Sequence, residues 1–223
     1  MDVATVYRTT RGHLLELAST LDDAQAQLPV PATPGWTVKD AYAHLAGLCA
    51  DILDERMDGA GEPSWSARQL AERAGLSLAE VAAEWAERGP ELDDWLEDRE
   101  EPPMFVVYDG WTHEQDILGA LGQRGERDDE RLQDLAASAL AAFNQRFIAE
   151  GVAPLHVIGD QVECVLGDGE PEATLNIDDY ELMRILFGRR SFNQIEAADW
   201  DGDESRFIDH LHLFALPERD LVD

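Results

Sequence analysis

Basic residues are scarce in this chain. Its 223 residues include 17 Lys and Arg, of which Lys39 is the one lysine, against 47 Asp and Glu, for a formal net charge of −30. Nucleic-acid affinity comes largely from Lys and Arg displacing the counterions of phosphates, so no nucleic-acid partner is expected. An anionic membrane surface is disfavoured for the same reason. Long apolar runs are missing as well. No stretch approaches bilayer-spanning length and the N-terminal residues lack the apolar core of a signal peptide, which predicts a cytoplasmic protein without a membrane partner. Cysteine is limited to Cys49 and Cys164, far apart and without CxxC or metal-ligand spacing. Two reduced thiols are the simplest account of them. Apolar side chains, in contrast, are plentiful. At 44% of the residues they exclude a disordered acidic tail and suffice for one large or two modest cored domains.

The first 150 residues read as helices. Val6, Leu14, Leu17, Leu21 and Leu28 recur near helical spacing over residues 3–27. "LPVPATPGW" interrupts them, and Thr37 with Asp40 three residues on offers a capping-box start for a helix through "VKDAYAHLAGLCADILDERM". Residues 66–99 give helical spacing with a break at Gly75 to Ser77, "VVYDGWTHEQDILGAL" follows "EEPP", and a last helix over 129–150 closes at Gly151. Beyond a boundary near Gly151 to Pro154 the periodicity changes. "APLHVIGD", "QVECVLGDG" and "EATLNI" are short and β-branched, as in a small antiparallel sheet. "DDYELMRILFG" and "ESRFIDHLHLF" return to helical spacing. The expected class is therefore mainly α: an up-down four-helix bundle over 1–151, then a small α+β domain over 152–223 with a short antiparallel sheet and two helices.

One helix raises a chemical question. Asp109 and His113 sit four apart in an apolar, aromatic-rich run, about 40° apart around the helix axis, so their side chains share one face. Two metal ligands on adjacent turns of one helix would account for them. The candidate third ligand is His44, in the apolar stripe of "DAYAHLAGL". The bland readings are a solvated i,i+4 pair and a hydrogen-bonded core histidine. His13 sits beside Arg11 and Glu16 on the first helix, His156 lies in a short strand, and His210 and His212 lack a carboxylate at ligand spacing; these four read as structural or exposed. Outer support for the ligands would come from Asp40, one turn before His44, or Asp116, three residues after His113.

"TPGWTVKDAYAHLAG" followed by "DGWTHEQDILGALG" resembles the DinB-like bundle of the mycothiol-dependent maleylpyruvate isomerases, and "ELMRILFGRRSFNQIEAADWDGD" resembles the small α+β domain fused to it. The resemblance implies a divalent metal, normally zinc, on the matching positions His44, Asp109 and His113. It also implies mycothiol as the thiol cosubstrate, whose thiolate adds to an activated double bond, permits rotation and is eliminated. Arg189 of "GRRS", or Arg190 beside it, matches an arginine that could pair bidentately with a substrate carboxylate. Asp109 departs from the family pattern, which has glutamate there. The expected function is a metal-dependent thiol enzyme, an isomerase or S-transferase acting on a small electrophile, as a monomer or homodimer. The rival reading is a non-catalytic metal-binding or regulatory protein of the same fold.

Overall fold

The computed structural model describes residues 1–125 and 127–222. Two compact units divide them, Met1–Gly125 and 127–222.

The first unit holds α1 (Val3–Ala18), a short α2 (Asp23–Ala26), α3 (Val38–Leu53), α4 (Pro63–Glu72), α5 (Leu78–Glu97) and α6 (Phe105–Ala120). Side-chain caps set the starts. Asp2 accepts from the Thr5 amide, and Thr37/Asp40 and Ser77/Glu80 form capping boxes at α3 and α5. The helical pattern read over residues 3–27 divides in two, because Asp22 and Gln25 form a capping box of their own that starts α2. α1 packs on α5 and α6, and α3 packs on the same two helices. The four long helices thus close a ring, with α1 opposite α3 and α5 opposite α6. Leu14, Val81, Trp85, Leu92, Val106 and Trp111 fill its centre, and α4 lies against α3.

Polar groups inside this bundle are mostly paired. The Tyr42 hydroxyl donates to Leu14 O at 2.8 Å and the Trp85 indole donates to the Tyr7 hydroxyl at 2.8 Å. Buried Arg11 meets buried Asp93 at 2.6 Å, where α1 passes close to Gly89 of α5. Cys49 lies in the same interior, and burial pushes its thiol up to about 11. Cys164, in the other unit, is only half-buried. Alkylation of the native protein near pH 8 is therefore expected to modify Cys164 and spare Cys49, with both reacting in denaturant. Two native thiols of equal reactivity would contradict this burial.

The second unit holds α7 (Leu132–Glu150), β1 (Leu155–Ile158), β2 (Glu163–Leu166), β3 (Ala173–Asn176), α8 (Asp179–Leu186), α9 (Phe192–Glu196) and β4 (Asp199–Asp201). α7 ends at Gly151 (φ 66°) and packs on α8 and β2. The contacts thus group α7 with the sheet, although its sequence pattern reads as a bundle helix. The sheet order is β2-β1-β3-β4. It is mixed rather than antiparallel throughout: β1–β2 and β3–β4 are antiparallel, and β1–β3 is parallel. β2 takes one edge of β1 as a hairpin. The chain then returns to the start of β1, where the Glu172 amide donates to Pro154 O at 2.8 Å, so β3 enters the other edge running the same way. Leu155, Val157, Ala173 and Leu175 turn to the buried face.

The helix expected over "ESRFIDHLHLF" is instead two single 3-10 turns, Glu204–Arg206 and Ile208–His210. Phe207, Ile208 and Leu211 bury their side chains, but the Leu213 amide donates to Leu186 O at 2.8 Å and leaves helical bonding. Among the described residues no helix is long and apolar enough to cross a membrane.

Candidate metal centre

α6 is buried along most of its length, from Val106 to Ile117, and three of its polar residues share one face. Asp109, His113 and Asp116 follow at i, i+4 and i+7 on one face. α3 brings His44 to the same point. His44 Nε2 lies 3.1 Å from Asp109 Oδ2, and His113 Nε2 lies 3.5 Å from Asp109 Oδ1. One donor atom from each of the three residues falls within 4.8 Å of the others. Ligands about 2 Å from a common ion stand at separations of this order, so two imidazoles and a carboxylate could hold one divalent cation here.

The histidine side chains are 7% and 6% exposed, whereas Asp109 is 27% exposed, so the cluster opens on the carboxylate side. Burial alone would lower the pKa of His44. The charge of Asp109 and its hydrogen bond, with Gln69 and Asp51 behind the ring, outweigh burial and raise it.

The ring nitrogens that face away from the cluster meet different partners. His113 Nδ1 lies 3.2 Å from Asp116 Oδ2, whose carboxylate is fully buried, but without the alignment of a hydrogen bond. His44 Nδ1 lies 2.7 Å from Gln69 Oε1 of α4. Support for His44 therefore comes from Gln69 and not from Asp40. The Asp40 carboxylate is spent on the helix cap, accepting from the Thr37 amide at 2.9 Å and the Thr37 hydroxyl at 2.8 Å.

Two tryptophans complete the surroundings, and motif spacing singled out neither. Trp36 stacks on His113 with ring centroids 5.6 Å apart at 23°, and tilts against His44 at 5.1 Å. Trp65 meets His44 edge-on at 6.2 Å. The "TPGW" turn holds Trp36 in place. Pro34 and Gly35 (φ 92°) take the two central positions, and the Trp36 amide donates to Thr33 O at 3.0 Å, as in a type II turn. A proline-glycine pair directly before an aromatic is the signal that could have pointed to it.

The other histidines have partners of their own. His13 pairs with Glu114 at 3.1 Å, His156 with Glu163 at 2.9 Å and His210 with Glu150 at 3.0 Å, while His212 meets Phe214 O at 2.8 Å. Arg189 and Arg190 belong to the second unit, in the turn after α8, and both are buried. Arg189 donates to Phe187 O at 2.8 Å and lies 6.0 Å from the Phe214 ring. Arg190 grips Glu181 through two bonds and holds its carboxyl below the usual range, with help from Arg127 and against the effect of burial.

The sequence model of the mycothiol maleylpyruvate isomerase N-terminal domain matches residues 7–124, a span that contains all three cluster residues. No curated protein matches the chain in sequence. Among solved structures, the crystal structure of the mycothiol-dependent maleylpyruvate isomerase is similar with a TM-score of 0.56 and 17% identity, covering 84% of this chain and 88% of that one. A histidine-to-alanine mutant of that isomerase gives 0.55 and 16% over the same shares. At such identities the likeness is one of fold.

Proposed function

The chain belongs to the mycothiol maleylpyruvate isomerase N-terminal domain family, and we propose on that footing that it is a metal-dependent thiol enzyme centred on His44, Asp109 and His113. The observation that carries the reading is the convergence of two buried imidazoles and one half-open carboxylate, their donor atoms within 4.8 Å. A structural zinc site is closed by four protein ligands, whereas three leave a position for substrate. Zinc is the ion proposed first, since nitrogen and oxygen donors suit it. Bound there, a divalent ion would keep a thiol ionised at neutral pH. The residues supply the setting. His44 and His113 fix two directions from buried helices, Asp109 completes the set on the exposed side, and Trp36 packs against both rings.

Mycothiol is the proposed cosubstrate and a small electrophile the proposed acceptor, by isomerisation or S-transfer. The test is thiol consumption or isomerisation by zinc-loaded protein with mycothiol and a panel of maleyl-type, halogenated and epoxide electrophiles. A metal-loaded protein that acts on none of them would favour the non-catalytic reading.

Arg189 is proposed to recognise a substrate carboxylate. Arg189→Ala is expected to raise KM for carboxylate-bearing electrophiles by about 10–100-fold, the worth of a charge-assisted hydrogen bond, with metal content unchanged. An unchanged KM would remove Arg189 from this role. Zinc added to metal-free protein should also change the fluorescence of Trp36, because a divalent charge arrives beside its indole. Trp36→Phe should remove most of that change, leaving the smaller part that Trp65, edge-on to His44, contributes.

A further inference from the structure

Behind His44 lies a polar relay that reaches from the cluster to the surface of the bundle. Gln69 is fully buried in α4, with its Oε1 2.7 Å from His44 Nδ1 and its Nε2 2.7 Å from Asp51 Oδ2. Asp51, about two turns along α3 from His44, is fully buried too. Its Oδ2 also accepts from Arg68 Nη2 at 2.8 Å, and its Oδ1 receives Arg68 Nη1 at 3.2 Å and Arg56 Nη2 at 3.0 Å. Three hydrogen bonds and one further ion-pair contact thus hold this one carboxylate.

A carboxylate flanked by two guanidinium groups accepts and does not donate. The Gln69 atom beside it must therefore be the amide nitrogen, which turns the amide oxygen to His44. That oxygen can only accept. The Asp109 carboxylate, 3.1 Å from Nε2, also only accepts, but it is 27% exposed and can turn to water, whereas the buried Gln69 amide cannot turn. The neutral His44 ring therefore carries its proton on Nδ1 and presents the Nε2 lone pair to the cluster. The backbone makes room for this arrangement. A Cβ at Gly47 would lie 2.7 Å from Gln69 Cβ and 2.8 Å from its Cγ, so α4 can bring Gln69 this close only against glycine.

We infer that Gln69 is a positioning residue for the metal centre: held by Asp51, Arg56 and Arg68, it fixes His44 as the Nδ1–H tautomer with Nε2 free to ligate. The ligating role rests on the function proposed above; the tautomer does not. A purely structural link between α3 and α4 would affect stability and leave the tautomer of His44 alone.

The test reads the metal-free protein. Two-bond proton–nitrogen correlation spectra of histidine-labelled protein, in the alkaline range where imidazoles are neutral, should show His44 as the Nδ1–H form. In Gln69→Leu the acceptor is gone, and His44 should move to the Nε2–H form that donates to Asp109. In Asp51→Asn the amide of Gln69 is no longer held one way round, and both tautomers should be populated. Either variant suffices if the other does not fold, which circular dichroism reports. Zinc affinity of a folded Gln69→Leu should fall about 10–100-fold, the usual cost of losing a ligand's outer partner. A wild-type His44 in the Nε2–H form, or a folded variant that keeps the wild-type tautomer, would overturn the assignment. Failure of zinc to bind the wild-type protein would strike the proposed function and leave the tautomer result standing.

Discussion

Replacing His113 by alanine is expected to abolish metal binding and thiol-dependent turnover together while leaving the bundle folded. Only Asp109 and His44 would remain, 3.1 Å apart and offering one imidazole and one carboxylate. Loss of a direct ligand should cost more than the roughly 10–100-fold that an outer-shell change costs. Thermal unfolding gives the readout. An ion that binds only the folded state stabilises it by about 2.7 kcal/mol at a hundred times its dissociation constant. Zinc should accordingly raise the Tm of the wild-type protein and leave that of His113→Ala unmoved. A variant that keeps the zinc-dependent shift would place the ion elsewhere.

The largest effect on stability is expected at Gly89. A Cβ there would fall 1.5 Å from Arg11 Nη1 and 2.4 Å from its Cζ, so the guanidinium has to leave. Asp93 would lose its buried 2.6 Å partner and keep only the contact with half-exposed Arg8 at 3.2 Å. Breaking a buried pair by removing one side costs about 3–5 kcal/mol, and the remaining Arg8 contact places Gly89→Ala near the lower end. That corresponds to a fall in Tm of roughly 10 °C. Gly12→Ala is the control, since nothing lies within 4 Å of a Cβ on that exposed turn of α1. There alanine should stabilise by about 0.5–1 kcal/mol through helix propensity. Equal effects of the two substitutions would contradict the packing described at Gly89.

Local chemistry made much of the fold legible from the sequence. The Thr37/Asp40 box, the break before Ser77 and the left-handed Gly151 all stand where the side chains imply them. His44, Asp109 and His113 were legible for a related reason: helical spacing sets which residues share a face, and two motifs in order suggest that the faces meet. What sequence could not supply is the partner of a face. The stripe of Leu132, Leu135, Ala139, Leu140, Phe143 and Phe147 announces an amphipathic α7, yet it reads the same against a bundle or a sheet. The parallel pairing of β1 and β3 depends on where a loop returns, and four-residue strands do not encode that. Gln69 and Trp36 escaped notice for the same cause. Their contacts with His44 and His113 cross between elements, and no spacing rule links position 69 to position 44. Asp40 shows the converse, since one carboxylate suited both a helix cap and a ligand partner, and the cap took it.

Zinc-edge X-ray absorption on the zinc-loaded wild-type protein tests the central claim most directly. One ion per chain is expected, in a shell of nitrogen and oxygen at about 2.0–2.2 Å with the outer scattering of two imidazoles and no protein sulfur. A chain that binds no zinc, or a shell containing cysteine sulfur, would contradict the assignment of His44, Asp109 and His113 as the metal centre.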